Sequence, residues 1–289
     1  MPSRIEPSFG AQHSFLTAYA RSTADLVRTA YDQRRLLKAL AKRDLSDDYV
    51  AHRLSMGWTL VQPLFLMLVY LFIFTAVYPA RVQAPLGLAT DATIYLLSGI
   101  IPWITLSQVM GRSLVSVVGS SNIVKQMAFP LELLPLKTLA TPLLFGAVSL
   151  VFLVSYSAWI TGGAIIPVYL WGIPVLVSLS LVLYAGIALL LGTVQVFARE
   201  AREFIIMFLN IGLFIHPILF LPGAVPRAVR PVIYASPFSY YIFCWQDILF
   251  FGGVERVWAW CITAAFAGAV FVLGARLFVG SKPHFGDFL

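Results

Sequence analysis

The side chains that most often carry catalysis are not grouped in this sequence. The four histidines (His13, His52, His216 and His284) lie far apart, and no His-Glu-x-x-His pair that could bind zinc is present. No Gly-x-Ser-x-Gly segment occurs, so there is no serine nucleophile of the hydrolase type. We therefore expect no catalytic residue and no metal site, and the sequence disfavours a hydrolase or a metalloprotease.

A site for nucleotide hydrolysis is also missing from the sequence. The phosphate-binding pattern Gly-x-x-x-x-Gly-Lys-Ser/Thr does not occur. Gly280-Ser281-Lys282 comes nearest, but Pro283 follows it and the segment lies in a short tail rather than at the start of a helix. We expect the chain not to be an enzyme, to hydrolyse no ATP and to bind no cofactor of its own.

The hydrophobic pattern indicates an integral membrane protein. The chain has 289 residues, of which 60% are hydrophobic and 11% charged, and its mean hydropathy is +0.85. Between Lys137 and Arg199 it contains no Asp, Glu, Lys or Arg, a run that can cross a hydrocarbon core of about 30 Å twice. Thr161-Gly162-Gly163 and Pro167 interrupt this run, which predicts two antiparallel helices.

Six charge-poor segments predict an all-α fold with six transmembrane helices. They are residues 58–79, 92–111, 138–160, 168–198, 204–222 and 257–279. Nine Lys and Arg residues precede the first segment, whereas the next loop contains only Arg81. Because basic residues stay on the cytoplasmic side, both termini are predicted to be cytoplasmic in a multi-pass protein of the cytoplasmic membrane.

Two further segments are predicted to lie at the membrane without crossing it. Residues 22–44 form an amphipathic pattern, with Leu26 and Leu37 on one face and many Arg and Lys on the other, which is typical of a helix along the cytoplasmic interface. A solvated charged linker is the alternative. Residues 231–250 are apolar but short and contain Ser236-Pro237, which predicts re-entrant helices on the outer face before the last span.

These segments predict three parts of the chain. Residues 1–57 are the cytoplasmic N-terminal segment with its interface helix, residues 58–280 the transmembrane domain and residues 281–289 a cytoplasmic tail.

Charged residues are missing from the interiors of the predicted spans, where only His216 could titrate, and it is expected to be neutral and hydrogen-bonded. A charged residue at the bilayer centre costs about 2.5–3.5 kcal/mol, and ion-coupled carriers keep such residues for their function. Active transport by this protein would therefore draw its energy from another polypeptide.

Three segments resemble one family of membrane proteins. Residues 42–63 (KRDLSDDYVAHRLSMGWTLVQP), residues 99–103 (GIIPW) and residues 122–135 (NIVKQMAFPLELLP) are similar to the membrane subunits of type-2 ABC exporters of lipid-linked polysaccharides. The resemblance covers about residues 40–280. Asp48 stands where a basic residue is usual, and Ser55 stands where glycine is usual. Arg199-Glu200, His216-Pro217 and Ser236-Pro237 also depart from the family pattern.

The resemblance implies a transport machine of several subunits. Two copies of this chain would form a channel at a homodimer axis, and two copies of a nucleotide-binding subunit, carrying ATP and Mg²⁺, would dock on the cytoplasmic side. The implied cargo is a lipid-linked polysaccharide of the O-antigen, teichoic acid or galactan type.

The resemblance also implies where the ATPase and the cargo meet this chain. Residues 119–127 would be the main ATPase-coupling segment and residues 199–203 a smaller one, with a plain polar loop as the alternative for each. The residues expected in coupling are Ser121, Asn122, Val124, Lys125, Gln126, Arg199 and Glu200. The residues expected at the cytoplasmic entry are Arg43, Asp44, Tyr49 and Trp58.

Aromatic residues within the predicted spans are candidates for a sugar-sliding surface. Their flat apolar faces suit the C–H surfaces of sugars, while Tyr and Trp keep a polar edge. Ordinary packing is the alternative for each ring. The channel-lining candidates are Tyr70, Phe74, Trp103, Phe204 and Phe208.

Two other functions stay open at this point. A type-2 ABC permease for small drugs or lipids would need no wide aromatic channel, and the similarity of residues 129–135 to polysaccharide exporters argues against it. A membrane glycan-assembly enzyme or flippase that works alone would need catalytic carboxylates or buried charges, which the spans lack.

Overall fold

The computed structural model describes residues 26–47, 55–77, 81–83, 89–121, 129–164, 166–221 and 225–288. Most of these residues are helical. The helices are α1 (Arg34–Asp47), α2 (Ser55–Phe72), α3 (Ala92–Val115), α4 (Leu133–Lys137), α5 (Ala140–Ile160), α6 (Ile166–Phe197), α7 (Ala201–Ile215), α8 (Arg230–Ala235), α9 (Pro237–Gln246), α10 (Val257–Ser281) and α11 (Phe285–Phe288). Helical residues 26–32 precede α1.

Short irregular elements connect these helices. A π-helical segment, Ile73–Val77, continues α2, and another, Asp247–Phe251, continues α9. Turns of 3₁₀-helix lie at Val118–Ser120 and Lys282–His284. Between α2 and α3, Arg81–Gln83 pairs with Ala89–Asp91 as a small antiparallel hairpin that the sequence pattern did not predict.

In the described part of the chain, four helical stretches are long and apolar enough to cross a membrane. They are Ala92–Val115, Leu133–Ile160, Ile166–Phe197 and Val257–Phe288. The prediction of a helical multi-pass membrane protein is confirmed. A shorter apolar helix covers Val61–Val77.

The predicted fifth span ends earlier than its hydrophobic pattern suggested. Helix α7 stops at Ile215 instead of continuing to residue 222, because His216 takes an extended conformation (φ −81°, ψ 156°) before Pro217. A residue before proline is pushed out of the helical region by the proline ring. The 15 residues of α7 span about 22 Å at 1.5 Å per residue.

Helix α3 is the centre of the bundle. Of its most apolar window, 78% is buried, against 22% for the stretch Leu133–Ile160. It packs against α5, α6, α7 and α9, and Ile94, Leu97, Ile100 and Leu106 are fully buried on it. The four helices that pack on α3 therefore share the main core with it.

Helices α6 and α10 make the most extensive helix contact, and glycines permit it. A Cβ atom at Gly274 would overlap the carbonyl oxygen of Gly186, and one at Gly186 would lie 2.5 Å from the backbone nitrogen of Phe271. Small residues of this kind let helix backbones approach closely inside a membrane, where no hydrophobic effect drives helices together.

The segment between α7 and α10 is folded back onto the bundle. It contains two helices, α8 and α9, separated at Ser236, and α9 packs against α3 and α10. Residues 241–250 are all buried. This run is therefore enclosed by protein in the single chain, unlike the outer helices, which keep exposed apolar faces.

Candidate functional site

One end of the helix bundle gathers Leu26, Phe285 and described residues next to both predicted ATPase-coupling segments. The carboxyl ends of α3, α6 and α10 meet α4 there, around an apolar cluster separate from the main core. We call it the end cluster. Its buried members are Leu26, Val117, Leu131, Leu134, Leu189, Val196, Ala275, Phe278 and Phe285.

The described residues on both sides of the first predicted coupling segment belong to the end cluster. Val117 is fully buried just before it, and Leu131 is buried just after it. Ser121, which is partly buried, follows the turn Val118–Ser120. Asn122, Val124, Lys125 and Gln126 lie outside the described residues.

The second predicted coupling segment forms the tight turn between α6 and α7. Arg199 and Glu200 are both exposed, and the Gln195 side-chain amide donates a hydrogen bond to the Arg199 carbonyl oxygen at 3.1 Å. Val196, which belongs to the end cluster, immediately precedes this turn. The structure thus places the second predicted segment and the described residues that flank the first at the same end of the bundle.

Ion pairs connect α1 and the residues after α10 to residues near the first predicted coupling segment. Asp44 at the end of α1 lies 3.4 Å from Arg112 of α3 and 3.5 Å from Lys137 of α4. Lys282 beyond α10 lies 2.7 Å from Glu132, just before α4. The partners are far apart in sequence, so composition and spacing gave no signal for these pairs.

The predicted entry residues fall into different environments. Arg43 is exposed on α1, whereas the carboxylate of its neighbour Asp44 is occupied by the two cations described above. Trp58 lies in α2, and Tyr49 lies outside the described residues.

Helix α1 has the two faces that its sequence predicts. Leu37, Leu40 and Ala41 are partly buried, whereas Arg35 and Lys38 are exposed. Helix α1 packs on α4 and α5. The apolar side of α1 therefore faces the bundle, and Arg35 and Lys38 lie on its exposed side.

The candidate channel aromatics form two separate groups. On α2, the rings of Tyr70 and Phe74 are stacked at 6.2 Å and partly buried. On α7, Phe204 is 67% exposed, whereas Phe208 is partly buried with its ring 5.9 Å from that of Trp103. Trp103 itself is only 2% exposed, so in the single chain it packs against Phe208 from the buried side.

Trp103 lies so close to α7 that only glycine fits opposite it. A Cβ atom at Gly212 would overlap the six-membered ring of the indole. The His216 ring lies 4.5 Å from the Trp103 ring on the other side, and Phe238 of α9 lies 6.5 Å away. This aromatic group fixes the end of α7 against α3 and α9.

His216 is fully buried and hydrogen-bonded through both ring nitrogens. Its Nδ1 lies 2.6 Å from the Gly212 carbonyl oxygen, and its Nε2 lies 2.8 Å from the Ser236 hydroxyl. Because a carbonyl can only accept, we assign the ring hydrogen to Nδ1, and Nε2 then accepts from Ser236. The histidine therefore joins the end of α7 to the start of α9.

An ion pair stabilises the folded-back segment. Asp247 is fully buried and lies 2.6 Å from the Arg256 guanidinium. It also accepts hydrogen bonds from the Arg256 backbone N–H and from the Trp260 indole, each at 3.1 Å. The guanidinium carbon lies 4.3 Å from the centre of the Phe243 ring, a cation–π contact.

Among the described residues, no group of three or more His, Cys, Asp and Glu side chains could hold a metal ion. The described chain offers an apolar end cluster flanked by ion pairs, and aromatic side chains on α2 and α7.

The family model and the similar proteins all indicate a membrane transport protein. A model described as ABC-2 type transporter matches residues 35–250. The chain is 24% identical to an "O-antigen export system permease protein RfbA" of Klebsiella pneumoniae, over 88% of this chain and 95% of that protein. A protein of the same name from Myxococcus xanthus is 25% identical over 68% of this chain and 72% of its own length.

The match to the family model includes α2, α3, α5, α6 and α7, together with the folded-back helices. It covers well over half of the sequence. The chain therefore belongs to the ABC-2 type transporter membrane family.

Proposed function

We propose that this chain is the membrane subunit of an ATP-driven exporter of a lipid-linked polysaccharide. The observation that carries the proposal is the likeness to O-antigen export permeases over 88% of the chain. The sequence supplies no phosphate-binding loop, so ATP and Mg²⁺ would be bound by a separate ATPase subunit, present in two copies for two copies of this chain.

The membrane topology that we propose has six spans, formed by α2 with its π-helical extension, α3, α5, α6, α7 and α10. Helices α8 and α9 would re-enter from the outer face, which agrees with the enclosure of residues 241–250 by protein. Both termini would be cytoplasmic, so the end cluster would lie on the cytoplasmic side with the ATPase, and α1 would lie along the membrane surface.

The homodimer axis would be lined by α2 and α7. Helix α7 exposes an apolar stripe at every third or fourth residue, namely Phe204, Met207, Ile211 and Phe214. Helix α2 exposes a similar stripe that includes Val61, Phe65, Leu68 and Phe72. Exposed stripes on two of the shortest apolar helices suit contact with a second copy better than contact with a full hydrocarbon thickness.

The cargo path would follow the aromatic groups on these two helices. Tyr70, Phe74, Phe204 and Phe208 would offer flat faces to the sugars, with Trp103 holding Phe208 in place. The lipid anchor would enter from the side near Arg43 and Trp58. Weak, repeated stacking lets a polymer slide without a deep binding well.

Work from ATP would reach the spans through the end cluster. Residues 119–127 and 199–203 both adjoin it, and its members lie at the ends of α3, α6 and α10. Movement of either coupling segment by the ATPase would therefore move several spans together, because the packed side chains between them cannot deform continuously.

Purification and reconstitution test this function. We expect an affinity-tagged chain to co-purify with an ATPase subunit from its native membrane. Vesicles that contain both proteins should move a lipid-linked polysaccharide across the bilayer when Mg-ATP is added, and vesicles with this chain alone should not. Uphill transport by the lone chain, or its isolation without any ATPase, would contradict the proposal.

A further inference from the structure

A cavity of about 130 Å³ lies in the gap between α5 and α6, both of which pack on α3. Leu143, Ala147 and Leu150 line it from α5, and Val177, Ser180 and Tyr184 line it from α6. Thr105 of α3 and Trp245 of α9 lie at its inner side. Ala147 is exposed, so the cavity opens outward between the two helices.

The cavity lies level with the midpoints of three apolar helices that are long enough to cross a membrane. Thr105, Ala147 and Ser180 are each within two residues of the midpoints of Ala92–Val115, Leu133–Ile160 and Ile166–Phe197. The headgroups begin about 15 Å from the midplane, half the thickness of the hydrocarbon core. A molecule that reaches this depth from the bilayer must therefore be apolar where it enters.

The hydroxyl groups of the wall are already occupied, and the buried Trp245 indole N–H, which has no hydrogen-bond partner among the described residues, offers a guest only one donor. The Thr105 hydroxyl donates to the Ile101 carbonyl oxygen at 2.8 Å, and the Ser180 hydroxyl donates to that of Leu176 at 2.7 Å. The Tyr184 hydroxyl lies 2.7 Å from that of Tyr241. A buried water needs two to four polar partners, so this wall favours a hydrocarbon guest over water or a headgroup.

The gap between α5 and α6 is closed at the end where the two helices are joined. There the hydroxyls of Ser157 and Tyr169 are 2.8 Å apart, and the Tyr169 hydroxyl also donates to the Leu249 carbonyl oxygen at 2.8 Å. A guest therefore enters from the side of the bundle rather than from that end.

We infer that this cavity holds the methyl end of one acyl chain of a membrane lipid, inserted between α5 and α6. Its size is close to that of an engineered apolar cavity of about 150 Å³ that stays dry and binds benzene. The inference rests on the apolar, mid-membrane wall alone and stands whatever cargo the protein carries.

Quenching of Trp245 fluorescence tests the inference. The full chain is reconstituted in phosphatidylcholine vesicles whose acyl chains are brominated near the methyl end, and the Trp245 contribution is the difference between the wild-type protein and Trp245→Phe. We expect that contribution to be quenched by these lipids, and less by lipids brominated near the headgroup.

A pair of alanine substitutions supplies the control. Ala147→Phe fills the mouth of the cavity and should abolish quenching of the Trp245 contribution. Ala269→Phe adds the same ring at an exposed position in the middle of α10, away from the cavity, and should leave the quenching unchanged. Quenching that survives Ala147→Phe would overturn the inference.

A second measurement does not depend on Trp245→Phe. A phosphatidylcholine with a diazirine at the chain end should label the peptide that contains Trp245, which is 6% exposed, and Ala147→Phe should remove the label. Quenching of Trp245 by aqueous iodide would indicate a hydrated cavity. Protection from both lipid and iodide would indicate a cavity closed by protein, a second copy included. Either result would overturn the inference.

Discussion

Asp247 and Arg256 form an ion pair in which Asp247 is fully buried and the Arg256 side chain keeps 18% of its surface exposed. Three side-chain or backbone N–H groups donate to the Asp247 carboxylate, from Arg256 and from Trp260. Removing one member of a buried pair leaves the other charge uncompensated. At the residue scale this carboxylate is the polar anchor of the folded-back segment.

We expect Asp247→Ala to lower the free energy of unfolding by about 1–3 kcal/mol, because the N–H groups of Arg256 and Trp260 lose the carboxylate that accepts their hydrogen bonds. Reversible unfolding of the purified protein in mixed micelles measures the loss. Glu255→Ala is the control, since Glu255 is an exposed acidic residue next to Arg256 in the chain. Equal losses in the two variants would show that Asp247 has no special role.

His216 and Trp103 illustrate what residue type can and cannot predict. A neutral, hydrogen-bonded histidine is what an apolar setting favours, and both ring nitrogens are indeed bonded. Burial of Trp103 behind Phe208 could not be read from the sequence, because α3 is apolar on nearly every side and its pattern does not tell which side faces the core.

At the scale of elements, the crossing of α6 and α10 depends on the absence of side chains. Gly186 and Gly274 face each other there, with backbone atoms in direct contact. Gly268 lies on α10 with no other heavy atom near the position of a Cβ. Both glycines are therefore helical residues of α10, but only Gly274 contacts the backbone of another helix.

We expect Gly274→Val to separate α6 from α10 and to lower the free energy of unfolding by about 1–3 kcal/mol or more, the usual cost of overpacking. Gly268→Val should change it little, since the added methyl groups meet open space. Unfolding in mixed micelles again gives the comparison. Similar stability of the two variants would rule out a tight glycine crossing.

The bounds of the long helices follow closely from the sequence. Segments predicted at 92–111, 168–198 and 257–279 correspond to α3, α6 and α10, because long apolar runs between charged residues leave few alternatives in a membrane. The predicted span 204–222 was too long, because a hydropathy pattern counts Pro217 and Ile218 as apolar and ignores the restraint that proline places on His216.

At the scale of the whole molecule, the end cluster joins residues that flank the two predicted coupling segments to Leu26 and Phe285. Phe285 near the carboxyl end is fully buried in it, and Leu26 from the amino-terminal part is buried beside the same group. A push on either coupling segment would reach α3, α6 and α10 together. This supports transmission by rigid packing rather than by a flexible loop.

We expect Lys125→Ala to reduce the polysaccharide moved per ATP by about tenfold, the effect of losing about 1.4 kcal/mol of docking energy, while ATP hydrolysis by the partner continues. Parallel assays of transport and phosphate release in vesicles measure this ratio. Arg227→Ala removes an exposed basic residue from the segment between α7 and α8 and should leave the ratio unchanged. An unchanged ratio in Lys125→Ala would place the docking segment elsewhere.

By itself the sequence determined that the protein lies in a membrane and that its long apolar runs are helices, because these properties depend on composition and run length along the chain. Only the tertiary structure decided which distant residues meet, such as Asp44 with Arg112 and Lys137, or Glu132 with Lys282. It also decided where α5 and α6 leave a cavity. Helices that are apolar on every side can pack in many ways, and the choice among them is made by the contacts of the whole bundle.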